Sequence, residues 1–201
     1  MDNFDKAIFD FILIHADNSL ILGQRLGEWC GHGPVLEQDI ALTNIALDYI
    51  GRARLLYQLA AKIENNNRTE DDLAFLRDVM DFKNVLLVEQ ENVDFAYTIV
   101  RQFFLEAFNH PFFNHLINSQ NVNLSEIAQK SIKETTYHLR WCSEWIIRLG
   151  DGTELSHNKV QTAVNNLWTY TQELFKPIES EIEMTKHGIC PDLQLIQSIW
   201  N

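Results

Sequence analysis

The sequence has few cysteines, few basic residues and no long apolar run. Cys30, Cys142 and Cys190 are odd in number and form no Cys-x-x-Cys pair, so free buried thiols are expected rather than disulfides or a zinc site. The net charge of −12 argues against nucleic acid or an anionic membrane as the main partner. No apolar run reaches the roughly 18 to 20 residues of a membrane span, and the N-terminus lacks the basic start of a signal peptide. A cytoplasmic protein is therefore expected.

What the sequence does contain is helical periodicity along almost its whole length. With 201 residues, 46% of them hydrophobic, and no low-complexity segment, a single domain spanning residues 1–201 is expected. Apolar residues recur every three to four positions, and no segment predicts a strand. Helices are predicted at about 4–26, 34–63, 73–82, 92–116, 125–149 and 153–173, with a short one after Pro191. The fold class is thus all-α, with long antiparallel helices joined by short loops.

Local signals mark where several of these helices begin, break or end. Asp17-Asn18-Ser19 is good N-cap chemistry and allows a break inside the first helix. Thr69-Glu70-Asp71-Asp72 predicts a capping box. Pro111 is expected to kink or end the helix that contains it. Thr153 is expected to cap the helix that follows it.

Four polar residues lie one on each of four long predicted helices: Asp17, Asp48, Arg101 and Glu134. Their intervals are close to those by which consecutive long helices bring one inward residue each to a common level. This spacing is typical of a ferritin-like four-helix bundle, in which carboxylates on four helices hold two metal ions. The sequence therefore predicts a ferritin-like four-helix bundle with additional helices.

One of the four residues is an arginine, and the expected histidine ligands are missing. A metal-binding bundle repeats Glu-x-x-His on two helices, whereas Gly51 and Tyr137 stand three residues after Asp48 and Glu134. The guanidinium of Arg101 would supply the positive charge that a metal ion otherwise supplies. The hypothesis is a degenerate metal site, in which the four residues form an ion cluster with no metal, no cofactor and no catalytic residue.

Simpler interpretations compete at each position. Asp17 also fits a helix N-cap, Arg101 a surface residue whose stem packs on Phe104 and Phe108, and Glu134 a surface partner of His138. Asp48 lies among apolar residues, where an unpaired aspartate is rarely tolerated. Removing one partner of a buried ion cluster typically costs about 3 to 5 kcal/mol, so Arg101→Ala is expected to harm folding more than Arg68→Ala.

Several segments resemble a known family. They are DNSLILGQRLGEWCGH (17–32), EQDIALTNIALD (37–48), LVEQ followed by DFA (87–90 and 94–96), and RLGDGTE (148–154). These segments are similar to those of the C subunits of bacterial ring 1,2-phenylacetyl-CoA epoxidases, the oxygenases of phenylacetate degradation, and the likeness covers nearly the whole chain. Family members extend further at the C-terminus, so this chain is expected to be either truncated or a short member of the family.

The resemblance implies a role as well as a fold. In this family, the di-iron centre lies in the A subunit, which epoxidises the ring of phenylacetyl-CoA using O2 and electrons from a flavin and iron-sulfur reductase. The C subunit shares the ferritin-like fold, lacks the metal, and keeps the A subunit folded and competent. The implied partner is thus the di-iron catalytic A subunit in a hetero-oligomer, with phenylacetyl-CoA contacted at most indirectly. Arg25, Arg52 and Arg54 are candidates to face a CoA phosphate at the subunit boundary.

Two other functions stay open. The first is an independent di-metal oxidase that recruits Glu28, Glu37, Asp39 or Glu89 together with some of the seven histidines. The second is a helical scaffold for an unrelated protein, which would explain the fold but not the length of the match.

Overall fold

The computed structural model describes residues 1–201 and consists of helices and connecting segments, without a strand. The α-helices are α1 (Asn3–Gly27), α2 (Leu36–Glu64), α3 (Glu70–Phe75), α4 (Leu86–Glu89), α5 (Phe95–Leu116), α6 (Val122–Gly150), α7 (Glu154–Leu167), α8 (Glu179–Lys186) and α9 (Leu193–Trp200). Two 3-10 helices span Val79–Asp81 and Trp168–Phe175. The predicted all-α class and ferritin-like helical fold are confirmed. None of the helices combines the length and apolar content that crossing a membrane requires.

The four long helices form two hairpins that pack together. Helix α1 lies along α2, α5 lies along α6, and α2 also contacts α6. The first hairpin is tight at Gly23, where an added Cβ would lie 3.0 Å from the Ile50 side chain and 3.3 Å from the Ala46 carbonyl oxygen. Fully buried apolar side chains such as Phe11 and Phe112 fill the space between the hairpins. The four helices that carry the candidate residues therefore pack around one core.

Side-chain caps fix where most of the helices begin. The predicted capping box at the start of α3 is confirmed: the Thr69 hydroxyl accepts from the Asp72 backbone N–H at 3.2 Å, and the Thr69 N–H donates to the Asp72 carboxylate at 2.7 Å. Thr153 caps α7 as predicted. Helix α6 begins at Val122, three residues before the predicted start, because Asn121 provides its cap.

Three local predictions differ from the structure. Helix α1 runs unbroken through Asn18 and Ser19, because the Ser19 hydroxyl donates to its own helix at the His15 carbonyl and the Asn18 Oδ1 accepts from the distant Val85 N–H. Of the two effects predicted for Pro111, the structure excludes an end of α5 at this position, since the residues that follow it are helical and buried in the core. The helix predicted at 73–82 is shorter and ends at Phe75.

The three cysteines are free, as predicted. Cys142 and Cys190 are buried, and burial raises the pKa of both thiols, so they remain protonated. Cys30 is exposed, which corrects the expectation that all three are buried.

Candidate functional site

Asp17 is buried and paired, but its partner is not Arg101. Its carboxylate forms a salt bridge with Arg77, and the two side chains are almost completely buried. The hydroxyl of Tyr57 donates to Asp17 Oδ1 at 2.5 Å, and the Lys83 backbone N–H donates to Oδ2 at 2.8 Å. Asp17 is therefore neither an N-cap nor a member of a cluster around Arg101. It fixes the segment from Arg77 to Lys83 against α1.

Arg101 is fully buried, but it forms no salt bridge with a carboxylate. Its Nη1 donates to the Gln90 carbonyl oxygen, and its Nη2 donates to Asn92 Oδ1 at 2.7 Å. Burial, with a further contribution from the positive charge of Arg25, lowers the pKa of Arg101 to about 10. Arg101 thus holds the segment before α5 in place. This corrects both the expected ion cluster centred on Arg101 and the alternative in which Arg101 reaches solvent.

Asp48 and Glu134 each contact a buried residue on the facing helix, and the two contacts lie in the same region. Asp48 Oδ2 lies 3.0 Å from His138 Nε2, and the Asp48 side chain is 41% exposed. Glu134 Oε2 lies 3.5 Å from Arg52 Nη2. The structure therefore brings these two predicted residues to the same region, but the cation between α2 and α6 is Arg52 instead of Arg101.

The positions predicted for lost histidines do not face the interior. An added Cβ at Gly51 would meet nothing within 4 Å, and Tyr137 is 47% exposed. The inward residues are their chain neighbours, Arg52 and His138, both buried. The register predicted from sequence was thus wrong by one residue on both helices.

When the register is shifted by one residue, α2 and α6 each have two inward residues three positions apart, which is the spacing of Glu-x-x-His. On α2 the pair is Tyr49 and Arg52, and on α6 it is Thr135 and His138. Helix α5 adds Glu106, which is fully buried. Glu106 was not among the predicted site residues, although it lies five residues beyond Arg101 on the same helix. The sequence signal for the α6 pair is the alternating three- and four-residue spacing of the stripe that this helix buries, namely Leu124, Ala128, Ser131, Thr135, His138 and Cys142.

Glu106 is the centre of this buried polar network. The central network comprises Tyr49, Arg52, Gln102, Glu106, Asn109, Thr135 and His138. Glu106 Oε1 accepts from the Tyr49 hydroxyl at 2.6 Å and from Gln102 Nε2 at 2.7 Å, and it lies 3.0 Å from His138 Nδ1. Arg52 Nη2 donates to the Thr135 hydroxyl at 3.1 Å. The network thus joins α2, α5 and α6 through side chains alone.

Electrostatics favour a charged pair between Glu106 and His138. Burial by itself raises the pKa of Glu106, but the attraction of His138 and Arg52 outweighs it, so the net shift is downward. Burial by itself lowers the pKa of His138, but Glu106 and Asp48 outweigh it, so the net shift is upward. The His138 imidazolium therefore bridges one fully buried and one half-buried carboxylate.

Arg52 supplies a second fixed cation beside this pair. Its side chain is almost fully buried, and its guanidinium lies 4.8 Å from the ring centroids of both Tyr49 and Phe113. Burial raises the pKa of Tyr49 well above its usual value, so the phenol stays a neutral donor.

The central network does not fit a di-iron centre. Such a centre needs several carboxylates and imidazoles with open positions, whereas the network offers Glu106 as its one fully buried carboxylate next to a guanidinium that would repel a divalent ion. No group of three or more His, Cys, Asp and Glu side chains in the structure is arranged to hold a metal ion.

Of the alternative ligand set for an independent oxidase, Glu28 and Glu89 line a common depression, but no group of three ligands forms. Glu28 pairs with Arg25 at 3.0 Å, Asp39 accepts from the Gly33 N–H at 2.9 Å, and Glu89 accepts from Asn84 at 2.8 Å. Glu37 is exposed in the first turn of α2. These four residues therefore do not form an offset metal site.

The three arginines considered for a CoA phosphate also differ in their surroundings. Arg52 is buried in the central network, whereas Arg54 is 70% exposed and lies 3.5 Å from Glu70. Arg25 donates to the Glu89 carbonyl oxygen and to the Glu28 carboxylate. They do not converge on one phosphate site.

Comparison with known proteins agrees with the resemblance seen in the sequence. Residues 1–201 match the model of the family described as "Phenylacetic acid catabolic protein". The chain is 47% identical over 184 residues to the C subunit of the 1,2-phenylacetyl-CoA epoxidase of Escherichia coli (strain K12). The match covers 92% of this chain and 74% of that protein. The predicted resemblance is thereby confirmed.

Proposed function

Because the chain belongs to the phenylacetic acid catabolic protein family, we propose that it is the non-catalytic structural subunit of a phenylacetyl-CoA epoxidase complex. In this role it pairs with the di-iron catalytic subunit and stabilises it. The observation that carries the proposal is the buried Arg52 guanidinium, bonded to Thr135 where a catalytic relative would place metal ligands. A side-chain cation at this position supplies the positive charge of a metal ion without its chemistry.

The central network can hold the bundle together without bound iron. Its bonds run between helices, from Tyr49 on α2 to Glu106 on α5, and from Arg52 on α2 to Thr135 on α6. Charged partners on both sides satisfy the buried His138. Three buried atoms of the network, Arg52 Nε, Gln102 Oε1 and Glu106 Oε2, have no partner in the protein. The bonds that do run between helices favour one arrangement of the bundle. The chain is therefore suited to present a constant surface to a partner.

An exposed apolar surface offers a place for that partner. The α2–α3 surface consists of Leu47, Ile50, Phe75 and Leu76, all exposed. Ile50 and Phe75 line one shallow depression, so the contributions of α2 and α3 are continuous. Exposed apolar patches of this kind mark protein contacts. We assign the α2–α3 surface to the catalytic subunit, because the relative is named as one subunit of an epoxidase.

Co-purification with the cognate catalytic subunit tests this assignment. Phe75 is 64% exposed and Leu76 is 76% exposed, so the double variant Phe75→Glu, Leu76→Glu is expected to keep its melting temperature while losing the partner. The matched control is Leu155→Glu on α7, 68% exposed and outside the surface, which should retain the partner.

The possible outcomes distinguish a wrong contact surface from a wrong function. If both variants still bind the catalytic subunit, the contact lies elsewhere on the chain. If the wild-type chain never binds it, or epoxidises phenylacetyl-CoA alone, the structural-subunit proposal is overturned.

A further inference from the structure

The 70–81 segment, which contains α3 and the 3-10 helix after it, exposes large apolar side chains. Leu76, Val79 and Met80 are the three most exposed large hydrophobic residues of the chain, at 76%, 79% and 85%. Phe75 beside them is exposed as well and lines the depression between α2 and α3, whereas Val79 lines a second depression beside α1. Apolar side chains exposed together in one short segment mark a contact with another protein.

The same segment is strongly acidic. It contains five acidic residues and one basic residue, which is a formal net charge of −4. Asp71, Asp78 and Asp81 are exposed, and their carboxylates form no salt bridge. Asp71 lies one helical turn before Phe75 on α3 and lines the same depression, while Asp78 and Asp81 flank the two apolar residues between them. Carboxylates therefore border the exposed apolar side chains.

The one basic side chain of the segment is buried beneath it. Arg77 is 5% exposed and forms a salt bridge with the buried Asp17 on α1. Its Nε donates to the Leu73 carbonyl oxygen, and its Nη1 donates to the Asp81 carbonyl oxygen at 3.2 Å. The cation thus fastens both ends of the segment to the bundle and leaves the carboxylates outside. A surface held in this way loses little conformational freedom when a partner binds.

The neighbouring cations of the chain do not neutralise these carboxylates. Three basic residues that border the segment already face other acids: Arg54 lies 3.5 Å from Glu70, Arg68 pairs with Glu64, and Lys83 lies 3.5 Å from Asp10. A partner that covered the segment without offering a cation would leave carboxylates desolvated and unpaired, which is costly. The charge of the segment therefore limits the partner to one with basic side chains around an apolar centre.

We propose that the 70–81 segment docks on an apolar patch of the catalytic subunit whose rim carries lysine or arginine side chains. The exposed apolar side chains of the segment meet the centre of that patch, and its three unpaired aspartates meet the rim. Phe75 and Leu76 belong to the α2–α3 surface, so the contact continues from that surface along the chain to Met80. The inference rests on the proposed function, from which it takes the partner, and it adds the chemistry that the partner presents.

The salt dependence of the complex tests the charged rim. A dilution series of the co-purified complex in the analytical ultracentrifuge gives Kd at about 50 mM and about 500 mM NaCl. Asp71→Lys, Asp81→Lys should raise Kd about tenfold or more at the lower salt and by about twofold at the higher, where exposed charges are screened.

The matched control Asp151→Lys, Glu154→Lys makes the same change in net charge outside the segment. All four residues are exposed, and Glu154 lies in the first turn of α7 as Asp71 lies in the first turn of α3. The control should keep Kd within about twofold of the wild-type value at both salt concentrations.

Met80→Ser tests the apolar centre separately from the rim. It should raise Kd about tenfold at both salt concentrations and keep the melting temperature, because Met80 is almost fully exposed in the free chain. Its control is Leu155→Ser on α7, which is 68% exposed and should leave Kd unchanged.

Failure of this inference is distinguishable from failure of the proposed function. A wild-type chain that does not bind the catalytic subunit overturns the proposed function and, with it, the partner named here. A stable wild-type complex whose Kd changes equally with the aspartate variant and its control, or does not change with Met80→Ser, overturns the docking of the 70–81 segment and leaves the proposed function intact.

Discussion

Arg52 on α2 donates a hydrogen bond of 3.1 Å to the hydroxyl of Thr135 on α6. The same guanidinium packs over the rings of Tyr49 and Phe113, so one cation contacts three helices. In a metal-binding bundle of this type, ligands on facing helices are joined by the ions between them. Here the link is covalently part of the chain and cannot be lost to a chelator.

Removing this link should destabilise the protein far more than removing its exposed neighbour. Arg52→Ala leaves Thr135 without its donor and Glu134 with Lys130 alone, at 3.7 Å, and it opens a cavity in the core. The expected loss is about 3 to 5 kcal/mol of unfolding free energy. Arg54→Ala, two residues away and mostly exposed, should change it by no more than about 0.5 kcal/mol. Urea denaturation of both variants measures the difference, and equal losses would contradict the placement of Arg52.

The stabilisation by His138 should depend on pH in a defined direction. Because the folded-state pKa of His138 is raised above 6.5, its stabilisation is complete below pH 6.5 and is lost as pH rises through the folded-state value. The folded-state pKa of Glu106 is lowered below 4.5, so its stabilisation is present above pH 4.5 and is lost as pH falls through the lowered value.

The free-energy difference between wild type and His138→Gln should therefore be largest near about pH 5.5 and smaller near about pH 9. Denaturant titrations at the two pH values measure it. The control His157→Gln, exposed on α7, should give a small difference at both. A His138 effect that grows toward high pH would show that the imidazole is bound in its neutral form.

Arg101 should stabilise the segment that precedes α5 more than it stabilises the bundle. Arg101→Ala removes the donors to the Gln90 carbonyl and to Asn92, so hydrogen exchange should rise around residues 90–94. The expected cost is about 3 kcal/mol. Arg68→Ala removes a partly exposed pair with Glu64 and should cost less than about 1 kcal/mol. Equal costs with no local change in exchange would refute this role.

Asp17 and Asp10 allow a matched comparison, because both tie α1 to the same segment. Asp17 pairs with Arg77 in the buried interior, and Asp10 lies 3.5 Å from Lys83 at the surface. Asp17→Asn should cost about 3 to 5 kcal/mol, whereas Asp10→Asn should cost less than about 1 kcal/mol. Thermal unfolding of the two variants ranks them, and the reverse ranking would count against the assigned pairs.

The long helices were predictable because their signals are local. Apolar periodicity acts within a few residues of the chain, and it indicated α1, α2, α5 and α6 with small errors at the ends. The caps Thr69 and Thr153 are equally local and marked the starts of α3 and α7. Helix α4 was not predicted because the N–H groups at its start donate to residues that are distant in the sequence instead of to a local cap. Val85 donates to Asn18 and Leu86 to Glu173.

The residues of the candidate site were harder to predict than the helices that carry them. A helix turns by about 100° per residue, so an error of one position moves the predicted side chain off the inward face. That happened at Gly51 and Tyr137, whose neighbours Arg52 and His138 point inward. Which charged residue lies inside depends on packing between helices, and periodicity alone does not resolve it. The expectation of an internal cation was useful, but Arg101 was the wrong arginine to place at its centre.

Iron analysis of the isolated chain tests the central claim most directly. The chain is produced without its partner in iron-rich medium, purified without chelator, and analysed for metal by mass spectrometry beside the co-purified complex. We predict far less than one iron atom per isolated chain, with the iron of the complex accounted for by the catalytic subunit. About two iron atoms bound per isolated chain would contradict the claim that Arg52 occupies the place of a metal centre.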